Sequence, residues 1–130
     1  MDKALSAGIY TLGLTVTGLS STNFSYLEEK HSKTGNYCVF FGVINPFSWD
    51  SAAQFEVDFV QFSFRGTNLS TLETLVNNFK AVFDFAKSSL TVSGYSVISC
   101  TRVNTKPATP FGDTYQIILE YRIETQKARS

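Results

Sequence analysis

The sequence predicts an α+β fold in which a mostly antiparallel four-stranded sheet carries its helices on one face. Three observations favour this class: one long amphipathic helical pattern, four strand-like segments, and a chain order of short helix, hairpin, helix and hairpin. Segregated helices and strands of this kind pack as two layers. With 130 residues, of which 43% are hydrophobic, the chain is expected to form a single domain, residues 1–130, with its own core.

The first elements are weak in the sequence. Leu5, Ile9 and Leu12 fall at helical spacing within residues 2–14, although two glycines in this segment lower its helix propensity. A brief apolar alternation over residues 24–27 is compatible with a short strand before a polar loop. We therefore expect the β-β-α-β-β core to follow a short N-terminal helix.

The first hairpin joins residues 37–45 to residues 53–65 through a turn at 46–51. Its first strand is apolar on both faces, which is typical of a strand buried on both sides. In the second strand the apolar positions change face partway along, from Phe55, Val57 and Phe59 to Val60, Phe62 and Phe64. A period of two cannot change face without an inserted residue, so the pattern predicts a bulge or bend near 59–60. The alternative is a straight strand that turns one apolar end towards a neighbouring subunit.

The strongest helical pattern covers residues 70–87. Ser70-Thr71-Leu72-Glu73 fits a capping box, in which Glu73 reaches back to the first backbone amide. The apolar positions form one stripe that is expected to pack on the sheet, namely Leu72, Leu75, Val76, Phe79, Val82, Phe83 and Ala86.

The second hairpin joins residues 97–104 to residues 115–124, and the latter segment alternates well between apolar and polar positions. Between them, Pro107, Pro110 and Gly112 predict a loop over 105–113 that is longer than a tight turn and has an exposed tip.

Few residues are suited to catalysis. The single histidine, His31, lies in a polar loop, and the sequence has no phosphate-binding glycine loop and no Gly-x-Ser-x-Gly motif. Glu56 and Asp58 share a strand face, which we interpret as a solvated or interface face rather than an acid/base pair or metal site. Cys38 and Cys100 are expected to be reduced thiols, with a cross-strand disulfide as the alternative. We predict no enzymatic activity, no cofactor and no metal.

Charge and hydropathy also restrict the partners. Eleven basic and eleven acidic residues cancel, so the sequence predicts no specific nucleic-acid binding and no anionic membrane partner. The longest apolar run, residues 37–44, is far shorter than a membrane span.

Surplus apolar surface is the positive signal. The chain has twelve Phe, and two small helices are not expected to cover both faces of strands that are apolar on both sides. The simplest consequence is a homo-oligomer, and the alternative is a better-packed core in which a bulge resolves the conflict. The side chains predicted to carry subunit contacts are Phe40, Ile44, Glu56, Asp58, Phe62 and Phe64.

The whole pattern resembles the phage tail terminator family, also called tail completion or head-to-tail joining proteins. The resemblance rests on a short helix at 5–12, the strand opening Asn36-Tyr37-Cys38-Val39-Phe40, the strand 55–64 and the helix 69–85. It also rests on residues 113–123, where an acidic residue and a tyrosine begin an alternating final strand.

This resemblance implies a structural virion protein of the tail or neck, assembled in the host cytoplasm. Members form a hexameric ring on the last ring of tail tube protein, stop tube growth and offer a surface to the head connector or neck protein. The resemblance implies no cofactor. The loops expected to contact tube or connector contain Phe47, Trp49, Asp50, Lys106 and Phe111.

Two other interpretations stay open. A small-molecule-binding or enzymatic domain would use a pocket between the main helix and the sheet, lined by Phe79, Phe83, Tyr115 and Tyr121, and close packing of those rings would argue against it. A neck or connector protein nearer the head would share the structural class with a terminator.

Overall fold

The computed structural model describes residues 3–27, 35–48 and 55–127, with the backbone alone for residues 44–48. The elements in chain order are α1 (Lys3–Gly13), β1 (Phe24–Tyr26), β2 (Tyr37–Ser48), β3 (Phe55–Gly66), α2 (Leu69–Phe83), β4 (Tyr95–Phe111) and β5 (Thr114–Lys127).

The sheet has five strands in the order β1-β2-β3-β5-β4 and is mixed. The predicted four-stranded, mostly antiparallel sheet is therefore wrong, because β1 adds a fifth strand parallel to β2. Asn23 fixes this pairing: its backbone oxygen accepts from the Cys38 amide at 2.8 Å, and its side-chain amide donates to the Asn36 oxygen at 3.1 Å. A three-residue strand is too short for periodicity to reveal its partner.

Both helices contribute to one hydrophobic core with a single face of the sheet. Leu5, Ile9 and Leu12 of α1 belong to the same cluster as the buried stripe of α2, as the helical spacing predicted. In β3 and β5 the core side chains alternate with residues of the other face, as the pleat of a strand requires.

Strand β3 pairs with β5 without a register shift, from Phe55 opposite Gln126 to Gly66 opposite Tyr115. The bulge predicted near 59–60 is therefore not in this strand. The irregularities lie in its other neighbour, β2, where the register shifts on both sides of Ile44. The first half of β3 has its apolar residues on one face and the second half has them on the other. The strand has no bulge that would bring them onto a single face.

The hairpin β4–β5 closes with a tight turn. Phe111 pairs with Thr114, and Gly112 supplies the positive φ of 60° that the turn needs. The loop predicted over 105–113 is wrong because β4 continues through both prolines. It can do so as an edge strand, where prolines are tolerated, and Pro107 lies within the register shift between Lys106 and Thr109.

Helix α2 begins earlier than the capping box predicted. Asn68 is its N-cap, and the Asn68 side-chain oxygen accepts from the Thr71 amide at 3.1 Å. The helix ends at Phe83, with Asp84 as C-cap, so the predicted last turn to residue 87 is non-helical.

Cys38 and Cys100 are free and buried, as expected. Burial raises the pKa of both thiols, that of Cys100 to about 12 with a further contribution from the charge of Asp84. The Cys100 thiol lies 3.6 Å from the Phe83 oxygen, to which it donates.

Gly13 is a position in α1 where an added side chain is expected to overpack the core. A Cβ at this position would lie 2.2 Å from the ring of Phe24, which is fully buried and stacked between Tyr10 and Phe40. Gly13→Ala should therefore lower the free energy of unfolding by ~1–3 kcal/mol through overpacking, measured by urea denaturation. Helix propensity alone would give the opposite sign, by up to ~1 kcal/mol, so an unchanged or increased stability would contradict this packing. Thr11→Ala, at an exposed position of the same helix, is the matched control and should not destabilise.

The buried thiols should make the protein less stable in alkali. An unfolded thiol ionises near a pKa of ~8.5, whereas the folded protein holds both neutral, so each should lower the free energy of unfolding by ~1.4 kcal/mol per pH unit above that value. Urea denaturation under reducing conditions from pH 7.5 to 10 should show this decline. The variant Cys38→Ala/Cys100→Ala should show a much shallower one, and equal slopes would contradict the assignment.

Candidate functional site

The interior beneath α2 is filled with rings. Phe79 and Phe83 stack at 4.1 Å between centroids, and each lies 6.0 Å from Tyr121. All three are fully buried, and Tyr115 packs against the same core. The residues predicted to line a ligand pocket close-pack instead. This packing argues against a pocket between the main helix and the sheet.

The predicted subunit contacts divide between core and surface. Phe40, Phe62 and Phe64 are fully buried within the chain, so they have no surface to offer a neighbouring subunit. Asp58 is 2% exposed on the same face, which corrects its interpretation as a solvated or interface residue, and Glu56 is half-buried. The side chain of Ile44 lies outside the described residues.

The other face of the sheet carries the side chains that alternate with the core. We call it the second sheet face, and it comprises Tyr37, Val39 and Phe41 of β2, Phe55, Val57, Phe59, Gln61, Ser63 and Arg65 of β3, and Gln116, Ile118, Glu120, Arg122 and Glu124 of β5. Its β5 members are half-buried. Arg122 and Glu124 form an ion pair there at 3.7 Å.

A small pocket of about 110 Å³ lies in the second sheet face. Its lining consists of Tyr37, Val39, Phe41, Gln61, Ser63, Arg65 and Gln116. The Gln116 amide donates to the Ser63 hydroxyl at 2.8 Å, which fixes part of the polar side. The Arg65 guanidinium lies 4.0 Å from the centre of the Phe111 ring. This cation–π contact connects the end of the β4–β5 hairpin to the lining of the pocket.

A polar cluster joins the end of α2 to the edge of the sheet. Arg102 holds both carboxylate oxygens of Asp84 at 3.1 Å, and the Tyr121 hydroxyl donates to the same carboxylate at 2.5 Å. The hydrogen bond to Asp84 raises the pKa of Arg102, while burial, followed by the bond to Asp84, raises the pKa of Tyr121. Every group in the cluster has a partner. The positive charge of Arg102 compensates the negative charge of Asp84, which is unfavourable at the C-terminus of a helix. The arrangement is a structural connection between α2, β4 and β5.

Several large apolar side chains are exposed, on different parts of the molecule. Phe85 is 78% exposed just after α2, and Leu27 is 64% exposed after β1. Val103 lies on β4 and Phe111 at its end, and both are about half exposed. These residues are candidates for contact with other proteins.

The edge strand β4 is exposed along residues 101–107, on both of its faces. Arg102, Lys106, two prolines and three register shifts interrupt this edge, which are the features that hinder uncontrolled strand addition. Of the predicted contact-loop residues, Lys106 and Phe111 are exposed on β4, and Phe47 belongs to β2. Trp49 and Asp50 lie outside the described residues, as does His31.

A second cavity, of about 360 Å³, lies between α1 and the segment 89–93. Its lining combines alanine and glycine with hydroxyl groups, among them Thr11, Thr91 and Ser93, and contains no titratable side chain. Nowhere in residues 3–27, 35–48 and 55–127 do three His, Cys, Asp or Glu residues come together as a possible metal site. Within the same ranges no helix has the length and apolar character to cross a membrane.

The fold is similar to that of a virion protein. Among solved structures, a chain of the virion of a native gene transfer agent particle superposes with a TM-score of 0.65 over 96% of this chain and 86% of that chain, at 15% sequence identity. No family model matches the sequence, and no curated protein matches it either. At this identity the similarity establishes a shared fold.

Phe62 and Phe85 should respond very differently to truncation. Phe62→Ala should lower the free energy of unfolding by ~3–5 kcal/mol, because it leaves a cavity among the rings of the core. Phe85→Ala, at an exposed ring, should change it by less than ~0.5 kcal/mol. Urea denaturation of the two variants checks this, and comparable losses at both positions would contradict the placement of the two rings.

Proposed function

We propose that this protein is a structural virion protein, a tail terminator that caps the tail tube as a hexameric ring and forms the surface to which the head is joined. The observation that carries the proposal is the shared fold, over 96% of the chain, with a chain of a gene transfer agent virion. The resemblance of the strand and helix pattern to tail terminators is an independent argument from the sequence.

The surfaces support a role in assembly. The core under α2 is close-packed, whereas exposed apolar side chains lie on several sides of the molecule, at Phe85, Leu27 and Phe111. A ring subunit needs contacts in at least three directions: to its neighbours, to the tube and to the connector. Apolar residues distributed over separate sites suit that requirement better than one ligand pocket does.

The interrupted edge of β4 suits a terminator. A protein that ends a tube binds the last ring and prevents further addition, and an edge strand that resists pairing with other strands is compatible with that role. The positive charges of Arg102 and Lys106, together with Pro107 and Pro110, limit edge-to-edge addition, while Lys106 and Phe111 remain exposed for specific contacts. We assign this end of β4 to contact with tube or connector, together with the segment containing Phe47, Trp49 and Asp50.

Assembly with tail tube protein tests the proposal. The purified protein, alone and mixed with growing tubes of its phage, should give a hexamer-sized ring by light scattering and negative-stain imaging. When bound to a tube it should occupy one end and stop elongation, so that tubes are shorter at higher ratios of this protein to tube protein.

Two outcomes would contradict the terminator role. Tubes of unchanged length with no ring at their ends would exclude capping. Binding to the purified head connector with none to tubes would assign the protein to the neck instead, which is the alternative position within the same structural class.

A further inference from the structure

Strand β4 contains more residues than the strand it pairs with. It has 17 residues and β5 has 14, and the three register shifts between them each leave one extra residue in β4. The middle shift follows Arg102, which lies opposite Tyr121. Asn104 lies opposite the next residue of β5, Glu120, which leaves Val103 as the extra residue. The strand therefore has a β-bulge at Val103.

The bulge brings two side chains of β4 onto one face. In a regular strand, residues three apart point to opposite faces of the sheet. Arg102 lies opposite Tyr121, whereas Thr105 lies opposite Leu119. Tyr121 and Leu119 are two residues apart on β5 and are both buried in the core. Arg102 and Thr105 therefore share the face that the helices cover, which a register without the bulge would not allow.

A single guanidinium joins the two sides of the bulge. Arg102 donates from Nη1 to the Thr105 hydroxyl at 2.6 Å, and from Nε and Nη2 to the two carboxylate oxygens of Asp84 at 3.1 Å each. Because the donors of a guanidinium point in fixed directions, the two bonds to Asp84 orient the third nitrogen towards Thr105. Asp84 is itself the C-cap of α2 and accepts from the Tyr121 hydroxyl. We call Asp84, Arg102 and Thr105 the Arg102 clamp.

The register of β4 decides the face on which Lys106 lies. Lys106 is exposed and lies opposite Ile118, a residue of the second sheet face. Without the bulge at Val103, the residues after it would each move one place along β5, and Lys106 would lie opposite Ile117 on the core face. Among the described strands, β4 pairs with β5 alone, so hydrogen bonds to a further strand do not oppose this slip.

We infer that the Arg102 clamp fixes the bulge at Val103 and thereby positions Lys106 on the second sheet face for contact with tube or connector. The assignment of that contact rests on the proposed function, whereas the register of β4 does not. Arg102 and Thr105 act as positioning residues, because they determine which side chains of β4 face the partner.

The variant Thr105→Val tests the clamp with little disturbance elsewhere. It removes the hydroxyl that accepts from Arg102 and keeps a β-branched side chain suited to a strand. Loss of a hydrogen bond to a charged group shifts a two-state equilibrium by about tenfold or more. Solution NMR of the full chain should therefore show the backbone contacts between Asn104 and Glu120 reduced by roughly half or more, with new contacts between Asn104 and Leu119.

Two further variants are matched controls. Thr101→Val makes the same change at an exposed threonine of β4 that precedes the bulge, and it should keep the wild-type register. Thr105→Ser keeps the hydroxyl and should keep the register too. A wild-type register in Thr105→Val, an equal slip in Thr101→Val, or a slip in Thr105→Ser would each overturn the inference.

Binding to tail tubes or to the head connector tests whether the register positions Lys106. Lys106→Ala and Thr105→Val should each weaken this binding by roughly 2- to 5-fold, the range expected for one exposed charge. The double variant should weaken it no further, because the slipped register has already turned Lys106 away from the partner. Additive losses would overturn the positioning role.

The two readouts separate this inference from the proposed function. Wild-type protein that binds neither tube nor connector would contradict the proposed function, and the register measured by NMR would still decide whether the clamp holds the bulge. Binding that Thr105→Val leaves unchanged, despite a slipped register, would overturn the inference and leave the proposed function intact.

Discussion

A continuous chain of aromatic rings holds the layers of this fold together. Tyr10 of α1 stacks on Phe24 of β1, which stacks on Phe40 of β2, with centroids 5.7 and 5.0 Å apart. Phe40 reaches Phe62 of β3 at 5.7 Å, and Phe62 reaches Phe79 of α2 at 4.6 Å. The chain of contacts thus crosses from one helix through three strands to the other. Each ring depends on the position of its neighbours, so a change at one of them affects both helices.

This packing decides which surfaces remain for function. The rings that make the composition unusual are largely inside, on the face that the helices cover, and they leave no room for a ligand where Phe79, Phe83 and Tyr121 meet. Among the described residues, the surfaces that remain include the second sheet face, the edge of β4 and the outer side of α2. These surfaces carry isolated exposed apolar residues, which are candidates for contacts with other proteins.

Local periodicity predicted the parts of the fold that are long and regular. The α2 stripe, the β2–β3 pairing and the α1 core residues follow from spacing alone. The parallel placement of β1 depends on Asn23, whose two hydrogen-bonded partners are remote in the sequence. The passage of β4 through Pro107 and Pro110 depends on its edge position, which no local pattern reveals.

Which face of β3 points to the core was hard to predict for a related reason. Strand β3 is apolar on both faces, and whether Phe62 or Phe59 faces the core depends on where α2 docks. The most direct test of the whole account is a cryo-electron microscopy map of the protein at the end of a tail tube. The account predicts a ring of this protein at the tube end. A map showing no ring of this protein there would contradict it.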